Sequence, residues 1–125
     1  MQYPPGLSTA PLFDLDFAVR RHGDMEIVRL LVPIGVESLQ QARGLLDDTV
    51  TVAPARAQVL HKLRGSAMEL GLERLVRATR DYESVCRVGS NEPQIADAHR
   101  QFMPVLMDTL RALQAGGMPS GQPTS

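Results

Sequence analysis

Residues 59–72 read Val59-Leu60-His61-Lys62-Leu63-Arg64-Gly65-Ser66-Ala67-Met68-Glu69-Leu70-Gly71-Leu72. Val59, Leu60, Leu63, Ala67 and Leu70 recur at helical spacing, and at about 100° per residue they project within an arc of about 100°. Gly71 supplies a natural end, since glycine takes the left-handed conformation of a helix C-terminus without steric cost. One amphipathic helix cannot bury its apolar stripe alone. Its partners must lie on either side in the sequence.

Upstream, Pro54 suits the first turn of this helix, where its missing N–H would have had no partner. The turn Asp47-Asp48-Thr49-Val50-Thr51-Val52-Ala53 precedes it. A long helix is predicted from Met25 to about Leu46, with Ile27, Leu30, Leu31, Ile34 and Leu45 on its apolar side. Pro33 and Gly35 interrupt it, but the stripe resumes in phase, which favours one kinked helix over two. A short helix is predicted near Asp14 to Arg21; Gly23 stops it and Asp24 caps the next.

Downstream, Leu72, Leu75, Val76, Thr79, Tyr82 and Cys86 mark a fourth helix that begins at once and stops at Gly89. The last opens around Asn91 to Pro93 and carries Ile95, Ala98, Phe102, Val105, Leu106, Thr109 and Leu113, with Pro104 as a second kink site. The fold class expected is all-α, an antiparallel four-helix bundle with a short additional N-terminal helix. The domain spans 13–115. Residues 1–12 and 116–125, rich in Pro, Gly, Ser and Thr, read as flexible ends. No internal repeat is present.

Composition agrees with one core: 125 residues, 43% apolar, with no Trp, three Phe and two Tyr, so aliphatic side chains fill the interior. A net charge of −1 and a pI near 6.3 argue against nucleic acid as the main partner. A single cysteine, Cys86, excludes an internal disulfide and any multi-cysteine metal site, and fits the reducing cytoplasm. The sequence shows neither a membrane-length apolar run nor a basic-then-apolar secretion signal.

His61 is the residue that bears on chemistry. It projects about 150° from the centre of its helix's apolar arc, away from the core. Ala57, Arg64, Gly65 and Met68 share its side. A mid-helix glycine costs about 0.5–1 kcal/mol against alanine, so Gly65 reads as kept space beside the ring. Arg64, on the adjacent turn, can reach oxygens held near the imidazole. A neutral imidazole is a good nucleophile near pH 7 and needs chiefly to be positioned. The same geometry also fits a merely solvated surface histidine.

The run His61-Lys62-Leu63-Arg64-Gly65-Ser66-Ala67, followed by Leu70-Gly71-Leu72 and Leu75, resembles the phosphorylation-site signature of histidine-containing phosphotransfer domains of two-component phosphorelays. His22-Gly23-Asp24 is similar to the family's Gly-Gly-Asp before the second helix, and Tyr82-Glu83 stands where a hydrophobic-Glu pair is usual. The resemblance covers about Phe13 to Leu113. Two departures are Arg64 where Lys is commoner, which keeps the charge but changes its geometry, and Val32-Pro33-Ile34 where an aromatic is often found.

The resemblance implies that His61 accepts a phosphoryl group through Nε2, in the family's manner, from a receiver-domain aspartyl phosphate and passes it to another receiver. Arg64 would screen charge on the moving group, and Ala57, Gln58 and Met68 would meet the partner. The partners implied are response-regulator receivers and a hybrid sensor histidine kinase. No cofactor of its own is implied, Mg²⁺ being supplied by the receiver, and no ATP-binding signature appears. The alternative is an interaction-only bundle in which His61 is incidental.

His22, at a turn, and His99, on the polar side of the last helix, read as solvated. No metal-ligand spacing links the three histidines. Cys86 lies on an apolar stripe and reads as a small core residue. Arg74, Arg77, Arg80 and Arg87, interleaved with acids, read mostly as a solvated face, with some capacity to steer an acidic partner.

Overall fold

The computed structural model describes residues 11–48 and 52–115 and is all-helical there: α1 (Leu15–His22), α2 (Met25–Asp47), α3 (Ala53–Leu70), α4 (Glu73–Arg87) and α5 (Glu92–Gln114). The expected turn residues Thr49, Val50 and Thr51 lie outside the described residues, as do most of the two expected flexible ends. Of the N-terminal segment, Pro11 is described, and its carbonyl accepts from the Arg74 backbone N–H at 3.0 Å.

The boundaries follow from local chemistry. Asp14 accepts from the Phe17 N–H at 2.9 Å to start α1, and Gly23 ends it at φ 80. Asp24 caps α2 through the Glu26 N–H at 2.8 Å. Asn91 and Gln94 exchange reciprocal side-chain-to-backbone bonds of 2.9 and 3.0 Å in a capping box at the start of α5. Both long helices that contain an internal proline, Pro33 in α2 and Pro104 in α5, continue through it.

The four long helices close a ring: α2 packs on α3 and α5, and α4 packs on α3 and α5. Their shared core holds Leu39, Leu46, Leu60, Leu75, Tyr82, Phe102 and Leu106 among others. α1 lies across α2 and α3. There the Asp14 N–H donates to the Gly71 carbonyl at 3.0 Å. A side chain at Gly71, where φ is 71, would meet Phe17 Cδ1 at 2.8 Å, so both backbone and space demand glycine.

The apolar side of α2 is not the one expected. Val28, Gly35, Leu39, Ala42 and Leu46 are buried, whereas Ile27, Leu30, Ile34 and Leu45 are exposed, Leu30 at 72%. Of the expected stripe only Leu31 packs against the core. The helix has two apolar sides, and the one chosen contains its small residues. Close approach explains the choice: a Cβ on Gly35 would stand 2.6 Å from Leu70 Cδ1, so the larger stripe could not seat α3 and α5 as near.

Candidate functional site

The site lies along the edge where α3 meets α4. α3 buries Ala57, Leu60, Leu63, Ala67 and Leu70, while Val59 is only partly buried. The buried arc is therefore rotated toward α4, and His61 stands about 110° from its centre rather than about 150°. Its side chain remains 64% exposed. The shift places the ring over the seam with α4 instead of on the open back of α3.

Beneath it sits a carboxylate. Glu83 belongs to the buried side of α4, four residues after Thr79 and three before Cys86, and its side chain is 8% exposed. Arg64 Nη1 lies 2.9 Å from Glu83 Oε1. No N–H is aimed at that oxygen, which makes no hydrogen bond, so this contact is ionic. Arg87 Nε donates to Glu83 Oε2 at 2.8 Å. The same Oε2 is 3.8 Å from His61 Nδ1.

Arg64 Nη2 donates to His61 Nδ1 at 3.1 Å. A guanidinium has no acceptor, so Nδ1 holds its lone pair toward Arg64 and the neutral ring carries its proton on Nε2. Two arginines and an imidazole thus converge on one buried carboxylate, an arrangement that satisfies the acid's charge and leaves a net positive rim around an exposed ring.

The other expected site residues divide. Arg64 is brought to the ring. Gly65 is exposed, and a Cβ there would meet nothing within 4 Å. Gln58 and Met68 are exposed on the flanks, Met68 at 54%. Ala57, expected to face a partner, is instead buried at 1%; the rotation of the α3 arc toward α4 covers it. Glu83 and Arg87 are the residues that sequence reasoning left out of the site. The signal was present: Glu83 is an acid at a buried-stripe spacing, with a basic residue four positions on.

His22 and His99 are not solvated as expected. His22 Nε2 lies 2.8 Å from the Glu69 carbonyl, where it donates to the end of α3. His99 completes a chain across the bundle end. Arg56 Nη1 donates to the Tyr82 hydroxyl at 3.1 Å. Tyr82 and His99 Nδ1 are 3.0 Å apart, and His99 Nε2 reaches Asp47 Oδ1 at 3.2 Å. One residue from each long helix takes part, so this chain holds the bundle together at the end beyond His61. Burial pushes the Tyr82 hydroxyl and the Cys86 thiol above their ordinary pKa values. Cys86 is accordingly a buried core thiol.

Among the described residues no group of three or more metal-binding side chains is gathered, and no helix is long and apolar enough to cross a membrane. Comparison with curated proteins and with solved structures returns no significant match. The family model described as the Hpt domain matches residues 26–116, a span that includes α3, α4 and the whole His61–Glu83 cluster. Histidine phosphotransfer in a phosphorelay is the activity of that family, whose members typically interact with receiver domains, and the chain belongs to it.

Proposed function

We propose that His61 is the phosphoryl carrier, accepting from a receiver-domain aspartyl phosphate and delivering to the aspartate of another receiver. The observation that carries this reading is an exposed imidazole with a cation, Arg64, against it and open space at Gly65 one turn away. Phosphoryl transfer depends on alignment and on stabilising charge spread over three oxygens. This chain supplies a positioned nucleophile and the Arg64 guanidinium.

The ring nitrogen that faces outward, Nε2, forms the new N–P bond as the P–O bond to the donor carboxylate breaks, and the carboxylate departs with the electron pair. Attack through Nε2 needs the ring proton on Nδ1, where Glu83 is the nearest acceptor. Reversal of the same steps delivers the group to the next receiver. Mg²⁺ and the acyl phosphate belong to the receiver, and the domain needs no cofactor of its own.

Gln58, Gly65 and Met68 form the rim that a receiver meets. Beside them a furrow of about 410 Å³ between α2 and α3, lined in part by Ser38, Gln41, Leu45, Gln58 and Lys62, offers an adjoining surface. A hybrid sensor kinase as upstream source and a cytoplasmic location complete the reading.

The test is incubation with a receiver carrying labelled aspartyl phosphate. Acid-labile, alkali-stable label should appear on the wild-type chain and be absent from His61→Gln. Arg64→Ala should accept slowly and Arg64→Lys should recover part of the rate. Binding of the receiver with no label on the chain would favour an interaction-only bundle instead.

A further inference from the structure

Glu83 presents an arrangement that a single ion pair would not need. Its carboxylate is almost fully buried and holds two arginines, one on each oxygen: Arg64 at Oε1 and Arg87 at Oε2. The bond to Arg64 is the weaker in geometry, since Oε1 makes no hydrogen bond, whereas Arg87 Nε donates to Oε2 at 2.8 Å. Arg64 is also committed to His61 Nδ1. That second commitment keeps the ring proton on Nε2, the nitrogen that faces outward.

We propose that Arg87 is a positioning residue that retains Glu83 when Arg64 leaves, freeing Arg64 to follow the phosphoryl group while Glu83 becomes the acceptor for a proton on His61 Nδ1. The inference rests on His61 being the carrier. In the resting chain the Arg64 contact holds the ring in the tautomer that cannot attack through Nε2. As phosphoryl oxygens approach, Arg64 turns toward them and its bond to Nδ1 breaks. Nε2 gives its proton to water and Nδ1 takes one from water, so the ring stays neutral. Oε2, already 3.8 Å from Nδ1, needs only a small side-chain adjustment to accept that N–H.

Arg87 matters because removing Arg64 from a carboxylate with no second cation would strand a buried charge, which is strongly unfavourable. Arg64 would then stay where it is. With Arg87 in place the carboxylate keeps a hydrogen-bonded cation throughout, and Arg64 can exchange partners.

The experiment compares wild type, Arg87→Ala, Arg87→Lys, Arg64→Ala and the double alanine variant. Transfer rates are measured from a phosphorylated receiver, and ¹⁵N shifts of the His61 ring from the unphosphorylated chain. Wild type should show Nε2 protonated, and Arg64→Ala should move the proton toward Nδ1. Arg87→Ala should slow transfer about fivefold, with partial recovery in Arg87→Lys. In the Arg64→Ala background the same change should have less than about a twofold effect, because residues that act through one another are not additive.

An equal loss in both backgrounds would make Arg87 an independent surface charge and overturn the proposal. So would unchanged transfer in Arg87→Ala, or a wild-type ring protonated on Nδ1. Failure of the wild-type chain to take label overturns the carrier assignment instead. The ring shifts, read without any phosphoryl group, still decide whether Arg64 holds the tautomer.

Discussion

Glu83 Oε2 stands 3.8 Å from His61 Nδ1 across the seam between α3 and α4. The two residues are far apart in sequence, and one is buried while the other is exposed. Their approach sets the ring's inner nitrogen against a carboxylate and leaves the outer one toward solvent. Glu83→Gln keeps the shape but removes the charge that Arg64 and Arg87 share. Transfer should slow. Stability should fall by about 1.5–3 kcal/mol, the scale of a hydrogen bond to a charged group lost from a buried position, as read by urea denaturation. Full activity in this variant would remove Glu83 from the site.

His61→Gln should abolish phosphoryl acceptance while leaving the unfolding free energy within about 0.5 kcal/mol of wild type, because an exposed side chain contributes little packing. A larger loss in chemical denaturation would mean that the ring supports the fold.

Gly65 and Gly71 should respond oppositely to alanine. A methyl group at Gly65 meets nothing within 4 Å, so Gly65→Ala should stabilise the bundle by about 0.5–1 kcal/mol. Gly71→Ala should destabilise by about 1 kcal/mol or more, since φ is 71 and Phe17 Cδ1 blocks the Cβ. Gly65→Gln should fold but transfer poorly, because a long side chain would occupy the receiver's approach. Thermal midpoints and transfer rates on these three variants check both statements.

The two apolar sides of α2 should differ in mutational cost. Leu39→Ala opens a cavity at a fully buried position and should cost about 2–5 kcal/mol. Leu30→Gln, on the exposed stripe, should change stability by no more than about 0.5 kcal/mol. Equal losses would put the α2 rotation in error.

Acid should loosen α1 before the bundle. Arg21 hydrogen-bonds both Glu69 carboxylate oxygens, at 2.9 and 3.1 Å, joining α1 to α3. That hydrogen bond, aided by the guanidinium charge, holds the Glu69 pKa below the ordinary carboxylate value. A depressed folded pKa means that the unfolded state binds more protons as the pH falls. The stabilisation is therefore present above the unfolded carboxylate pKa and lost as the pH drops through the folded one. Amide exchange in α1 should rise over that range, and Glu69→Gln should show fast exchange in α1 already at neutral pH.

The helices were legible because their signals are local. Asp14 and Asp24 as caps, Gly23 and Gly71 as stops, and Asn91 opening α5 each act within a turn of themselves, and the stripes of α4 and α5 leave little choice of face. α2 was not legible, because two apolar stripes compete there and hydrophobicity favours the larger residues. Only the approach of Leu70 to Gly35 selects the smaller ones. His61, Arg64 and Gly65 were found from one helix, since three- and four-residue spacing alone makes them neighbours. The structure then adds Glu83 and Arg87 and removes Ala57 from the exposed rim, through a rotation of α3 that its own periodicity does not contain. The sequence by itself determined the elements and the outward placement of the histidine proposed as the carrier, because capping and helical spacing are interactions between near neighbours in the chain. The carboxylate beneath the ring, the hydrogen-bonded, half-buried positions of His22 and His99 and the working face of α2 were decided only by tertiary packing, which sets how each helix turns against the others.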